Sequence, residues 1–277
     1  MQTWFVTGAS RGFGRELTDQ LLARGDRVAA TLRRPEQLDD LAAAHPGRLW
    51  RAALDVTDTD RLRAVVDAAT ADLGRLDVVV SNAGSGVFGT AEELTDAQID
   101  GLVATNLTAS IQLARAALPH LRAQGGGLLM QMSSMGAQIA FPGFSLYHAS
   151  KWGIEGFYEA LAAEVGPLGV ATMLVEPGMI RTTFFDAAEY APERPEYAHV
   201  HGQRVAVEDM PGDQALVVAA MIAAADEDRA PTTTPRRLVL GSDAHRLMRD
   251  ALTDRLDVVD AQRDSAARTD RPAVGTG

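Results

Sequence analysis

The chain contains no cysteine. That removes disulfides and thiolate metal sites from consideration and fits a reducing compartment. It has no long apolar run either: the longest, Ala215–Ala225, falls short of the roughly 20 residues a membrane-spanning helix needs. Positive charge is scarce. Lysine and arginine total 26 against 37 aspartates and glutamates, and the net charge of −11 argues against a nucleic-acid backbone or an anionic membrane surface as partner. The first residues, MQTWFVTG, run directly into an apolar segment without a basic leader, so a soluble cytoplasmic protein is expected. There is no internal repeat and no low-complexity linker, and one domain is the expectation.

What is present is the balance of an ordinary globular chain, 46% hydrophobic and 23% charged over 277 residues, enough for a sizeable core. Short apolar runs read as strands: Thr3–Thr7, Arg27–Leu32, Leu49–Leu54, Asp77–Val80, Gly127–Ser133, Val170–Glu176 and Arg237–Leu240. Several lack polar alternation, as strands buried on both faces do. Helical patterns separate them: Gly14–Ala23, Pro35–Ala44, Thr59–Leu73, Asp96–Ala123, Leu146–Val165 and Gln214–Ala225. Thr57 or Asp58 can cap the third of these and Thr95 the fourth. This order predicts an α/β, doubly wound parallel sheet of about seven strands with helices on both faces. The domain spans residues 1–263, with 183–212 as a substrate flap or loop with short helices and 264–277 as a flexible, small and polar C-terminal tail. Ala244–Gln262 reads as a last amphipathic helix.

The stretch TGASRGFG, Thr7–Gly14, joins the first strand to the first helix. Glycines 8, 12 and 14 let the backbone turn tightly and come close to a ligand, while free amides at a helix start suit a pyrophosphate. The second strand ends in TLRRPEQL, with Leu32 where an acid would bind the free ribose hydroxyl of NAD, followed by Arg33 and Arg34. Arg11 adds a cation inside the glycine loop, and guanidinium forks suit a phosphate dianion. NADP(H) is therefore favoured over NAD(H).

The glycine loop resembles that of the short-chain dehydrogenase/reductase family, and further marks follow in the family's order: LDVTD with Asp55, SNAG at Ser81–Gly84, Ser134 in MQMSSMG, Tyr147 and Lys151 in YHASKWG, and EPGMIRT at Glu176–Thr182. The resemblance covers residues 3–182 well and 183–245 loosely. It is to the subfamily with this glycine spacing and a four-residue Tyr–Lys gap, near bacterial hydroxysteroid and retinol dehydrogenase-like oxidoreductases. It implies a Rossmann-type fold with cofactor contacts from Gly8, Ser10, Arg11, Gly12, Phe13, Gly14, Arg33, Asp55, Val56, Asn82, Ala83, Gly84, Pro177, Gly178, Ile180 and Thr182, besides Tyr147 and Lys151. It also implies pairing of two long helices across a two-fold axis, hence a homodimer or homotetramer.

Chemistry supports the spacing of Tyr147 and Lys151. Reducing a carbonyl takes a hydride and a proton, and free tyrosine, with a pKa of about 10, is a poor exchanger near neutrality. A cation nearby favours the phenolate, and residues four apart share a helix face. Tyr147 then serves as general acid in reduction and base in oxidation, and Lys151 lowers its pKa and bonds the ribose hydroxyls. Ser134, thirteen positions upstream, polarises the carbonyl, with Ser133 as the neighbouring assignment. Asn106, in ATNLTAS, matches the family's fourth active residue, which bends its helix and links the lysine to solvent protons.

Substrate contacts are expected from Met135, Phe141, Phe144, Met179, Phe184 and Phe185, a largely apolar set; Phe184 and Phe185 serve equally well as anchors of the flap. His199 and His201 flank Val200, but no third ligand of suitable spacing accompanies them, so no metal site is expected. The leading expectation is an NADP(H)-dependent carbonyl reductase or alcohol dehydrogenase. Its rivals are a non-catalytic NADP-binding sensor and, less well fitted by the glycine spacing, a lyase or epimerase.

Overall fold

Side chains alternate across a strand, so a strand with apolar residues at every position must be covered on both faces. The computed structural model, which describes residues 1–201, 207–227 and 230–271, bears this out. The chain forms β1 (Thr3–Thr7), α1 (Gly12–Arg24), β2 (Arg27–Leu32), a 3-10 turn (Pro35–Leu38) running into α2 (Asp39–Ala44), β3 (Leu49–Ala53), α3 (Thr59–Leu73), β4 (Val78–Ser81) and β5 (Val87–Phe88). Then come α4 (Asp96–Val103), a π turn (Ala104–Thr108), α5 (Ala109–Ala123), β6 (Gly127–Met132), α6 (Ser145–Val165), β7 (Val170–Pro177), β8 (Glu189–Tyr190) and α7 (Ala198–His201). The chain closes with α8 (Gln214–Asp226), β9 (Arg236–Leu240), α9 (Ser242–Ala261) and α10 (Arg263–Ala267).

Seven strands pair in parallel in the order β3-β2-β1-β4-β6-β7-β9. Trp4, Val6, Val28, Val78 and Met130 face one core, which α1 and α8 complete. Phe5, Ala29, Val79 and Leu129 face the other, under α3, α5 and α6. Each large side chain buried this way contributes about 1.5–3 kcal/mol, so both helix layers are held to the sheet by its own alternation.

The caps follow the sequence. Asp58 Oδ1 accepts from Arg61 N at 3.0 Å, and Thr95 and Gln98 form a reciprocal capping box. The expected single helix Asp96–Ala123 is interrupted by the π turn at Ala104–Thr108. The chain from Asp264, expected to be a flexible tail, is helical through Ala267 with its side chains exposed. Residues 202–206 of the expected flap and 272–277 of the expected tail lie outside the described residues. No helix among the described residues is long and apolar enough to cross a membrane.

Candidate active site

Strand order reverses between β1 and β4, and in an open parallel sheet a crevice opens there at the strands' carboxyl ends. A cleft of about 710 Å³ occupies that position. The loop after β1 is locked onto the loop after β4. Asn82 Nδ2 donates to the carbonyls of Thr7 at 2.8 Å and Gly8 at 3.2 Å, and Thr7 Oγ1 accepts from the amides of Asn82 and Ala83, each at 3.0 Å. Gly8 has φ +70°, and a Cβ there would lie 2.8 Å from the Ala83 Cα. At Gly14 a Cβ would lie 2.5 Å from Asn82 Nδ2 and also strike the Gly8 carbonyl. Glycine is thus demanded by contact at both positions.

Helix α1 begins after Arg11, in extended backbone, with no side-chain cap. Its first amides are left for an anion. Arg11 and Arg33 are exposed at the cleft and form no ion pair among the described residues; Arg34 does not line the cleft. Asp55 faces the same end, its Oδ1 accepting from the Thr57 hydroxyl at 2.7 Å and amide at 3.0 Å. These bonds hold its carboxyl below the usual range, with Arg33 adding attraction. An elongated cleft with uncapped amides and two free guanidiniums fits a dinucleotide phosphate in donor chemistry.

At the other end β6 delivers Ser134, whose Oγ accepts from the Gly136 amide at 3.0 Å. The first turn of α6 places Tyr147 opposite, and Lys151 sits one turn deeper, 7% exposed. Lys151 Nζ donates to the Met132 carbonyl at 2.9 Å and lies 5.7 Å from the centre of the Tyr147 ring. Burial pushes Tyr147 up to about 12, with only the Ser134 hydroxyl pulling the other way. Burial also pushes Lys151 down to about 8 against the attraction of Glu155.

All the expected site residues line this cleft except Gly14, which backs the glycine loop, and Asn106. Asn106 is 1% exposed in the π turn. Its Oδ1 accepts from the Ser85 amide and its Nδ2 donates to the Ser85 carbonyl, both at 2.9 Å, with a third contact to Ser150 Oγ at 3.3 Å. Those tertiary bonds hold the irregular turn beside Lys151.

Sequence reading missed Phe88. It sits on β5, which pairs in parallel with β8 and so ties the flap to the loop after β4. Its ring lies 4.4 Å from Phe144, 5.6 Å from Phe185, 5.6 Å from Tyr190, 6.0 Å from Tyr147 and 6.2 Å from Phe184. Phe184 and Phe185 therefore both anchor the flap and line the cleft. A lone phenylalanine between glycines gives no periodic signal.

His148 lines the same chamber but is committed to structure: Phe141 N donates to its Nε2 at 2.9 Å, and its Nδ1 bonds the Gly136 carbonyl at 2.7 Å. His199 and His201 lie on the single turn of α7 rather than on a strand, and His201 Nε2 bonds Glu93 at 2.8 Å. The Glu93 carboxylate also accepts from the Arg194 amide at 2.7 Å and the Thr90 amide at 2.9 Å, fastening the flap's far end.

Comparison with known proteins identifies the family. Residues 2–192 match the family described as short chain dehydrogenase. The oxidoreductase BOA17 of Botryotinia fuckeliana is 34% identical over 247 residues, 87% of this chain and 89% of that protein. The 3-ketodihydrosphingosine reductase of Bacteroides thetaiotaomicron is 32% identical over 200 residues, 71% of this chain and 72% of its own. Among solved structures, a short-chain dehydrogenase from Streptomyces avermitilis is 40% identical with a TM-score of 0.89, covering 98% of this chain and 100% of that one. An alcohol dehydrogenase from Thermococcus sibiricus, complexed with 5-hydroxy-NADP, shares the fold at 23% identity and TM-score 0.73, over 87% of this chain and 96% of its own. The chain belongs to the short-chain dehydrogenase/reductase family of oxidoreductases.

Proposed function

We propose that this protein is an NADP(H)-dependent oxidoreductase interconverting a carbonyl with a primary or secondary alcohol on a small, largely apolar substrate, with Tyr147 as general acid and base. The observation that carries the reading is the meeting of Ser134, Tyr147 and Lys151 on the wall of one cleft whose far end offers uncapped amides and two free arginines. The nicotinamide cofactor, when bound, supplies or accepts the hydride.

The chain's own residues supply the rest. Ser134 donates to the substrate oxygen and holds it beside the phenol, where negative charge develops. Tyr147 passes its proton to that oxygen in reduction and takes it back in oxidation. Lys151 adds positive potential behind the ring and has donors for ribose hydroxyls. Asn106 keeps the π turn in place and, through Ser150, fixes the first turn of α6, since Ser150 Oγ donates to the Tyr147 carbonyl at 2.7 Å. Arg33 and Arg11, with Leu32 in place of an acid, support NADP(H); the archaeal protein of the same fold, solved with an NADP derivative, is in keeping with this. Phe88, Phe141, Phe144, Met179 and the flap phenylalanines support an apolar substrate. Cytoplasmic location and self-association belong to the same reading, the latter supported by Ala149, Gly153, Gly156 and Ala160 along the exposed face of α6. Sedimentation as a monomer at micromolar concentration would remove self-association from it.

The test is NADPH oxidation against a panel of apolar ketones, aldehydes and quinones, repeated with NADH. Turnover with NADPH on at least one member is expected. Tight NADPH binding without turnover across the panel would favour the non-catalytic sensor, which the retained Ser134, Tyr147 and Lys151 weigh against.

A further inference from the structure

Lys151 is the only lysine in the chain; every other member of the 26 basic lysine and arginine positions is arginine. Arginine stays charged in any protein setting, whereas a buried lysine can lose its proton. The one lysine, whose charge unlike an arginine's is conditional, therefore stands in the cleft wall, buried, and something must hold that charge.

Tyr147, Lys151 and Glu155 are spaced four apart on α6 and share one stripe of the helix. Glu155 is 3% exposed. Its Oε1 accepts from Ser133 Oγ at 2.5 Å, and its Oε2 accepts from Gln138 Nε2 at 2.6 Å and from Arg237 at 2.7 Å. Ser133 and Gln138 bracket the turn that carries Ser134. Arg237, arriving on β9, also donates to Glu176 Oε1 at 2.6 Å and pairs with Glu159. Glu176, at the end of β7, is fully buried, and its second oxygen has no hydrogen-bond partner.

Buried charges persist only when paired. Two interior acids here, Glu155 and Glu176, are matched by two cations, Arg237 and Lys151. Arg237 is committed to the carboxylates. The charged and titratable groups of this cluster are Tyr147, Lys151, Glu155 and Glu159 on α6, Glu176 on β7 and Arg237 on β9. The β6 end and the π turn contribute the uncharged Met132 carbonyl, Ser133, Ser134 and Asn106.

We propose that Glu155 is a positioning residue of the cleft: tethered by Ser133, Gln138 and Arg237, its carboxylate is the counter-charge that keeps the Lys151 ammonium protonated inside the protein. Glu176 completes the cluster as its proton-accepting member. Burial and the neighbouring Glu155 charge push it up to about 7.

The single lysine makes the test direct. The protein is produced with lysine carrying carbon-13 at Cε, giving one lysine signal, which is titrated by NMR without cofactor or substrate. In the parent the midpoint should fall near 8. Glu155→Gln should lower it by about one pH unit, and Glu155→Asp, which keeps the charge, should stay within about 0.3 unit of the parent. A Gln midpoint within that same range of the parent, or an Asp midpoint that falls as far as Gln, would overturn the proposal. Should the Gln variant fail to fold, the parent curve alone decides. It should carry a second, smaller inflection near pH 7, where Glu176 takes up a proton, and a one-step curve would overturn the proposal. The signal reports whether or not the protein turns over a carbonyl, so this inference and the proposed function can fail separately.

Discussion

Replacing Lys151 with methionine should stabilise the protein at neutral pH, and the effect should vanish in alkali. The ammonium's value falls from 10.5 to about 8 on folding, burial being the main cause. Below pH 8 both folded and unfolded chains hold the proton, and the folded one carries the charge at the full disadvantage, on the order of 3 kcal/mol. Between pH 8 and 10.5 the unfolded chain still binds a proton that the folded chain has released, so stability rises with pH; above 10.5 the disadvantage is gone. Methionine removes that cost but also the bond to the Met132 carbonyl, a loss of about 1 kcal/mol. The expected net gain is therefore about 2 kcal/mol at pH 7, turning into a loss of about 1 kcal/mol above pH 10.5. Urea unfolding of parent and variant at the two pH values measures both numbers. A variant less stable than the parent at pH 7, or an advantage that does not change with pH, would refute the reasoning. It would show that the Glu155 cluster more than compensates the ammonium's desolvation.

Other substitutions separate the cleft's parts. Gly14→Ala drives a methyl into Asn82 and the Gly8 carbonyl and should cost about 1–3 kcal/mol or more, together with most NADPH affinity; thermal unfolding and fluorescence titration read the two effects. Arg33→Ala should weaken NADPH about tenfold or more while leaving NADH nearly unchanged, and equal losses would remove the phosphate from Arg33. Phe88→Ala removes the ring at the centre of the aromatic cluster, costing about 3–5 kcal/mol and raising KM for apolar substrates more than it lowers kcat.

The strands were legible because both-face burial writes an unbroken apolar run, and the helices because their caps and periodicity agree. Boundaries moved by a residue or two at several ends, where sheet pairing rather than propensity decides. The π turn was hidden because its cause is Asn106 reaching the Ser85 backbone, twenty-one positions away. Strands β5 and β8 have two residues each, too few to show a period, and exist because they pair with each other. Tyr147, Lys151 and Ser134 were found by spacing, and the structure brings them together. Spacing says nothing about solvent, however, so the burial that opposes the charged form of both Tyr147 and Lys151 could not be read from it. Nor could the Glu155 cluster, whose members Ser133, Gln138, Glu155, Glu176 and Arg237 come from four separate stretches.

The central claim is that Tyr147 moves the proton, and Tyr147→Phe tests it with the least disturbance, since the ring and its neighbours remain. NADPH affinity should stay within about twofold of the parent while carbonyl turnover falls by about 100-fold or more. A phenylalanine variant that reduces the same carbonyl within tenfold of the parent rate would contradict the account.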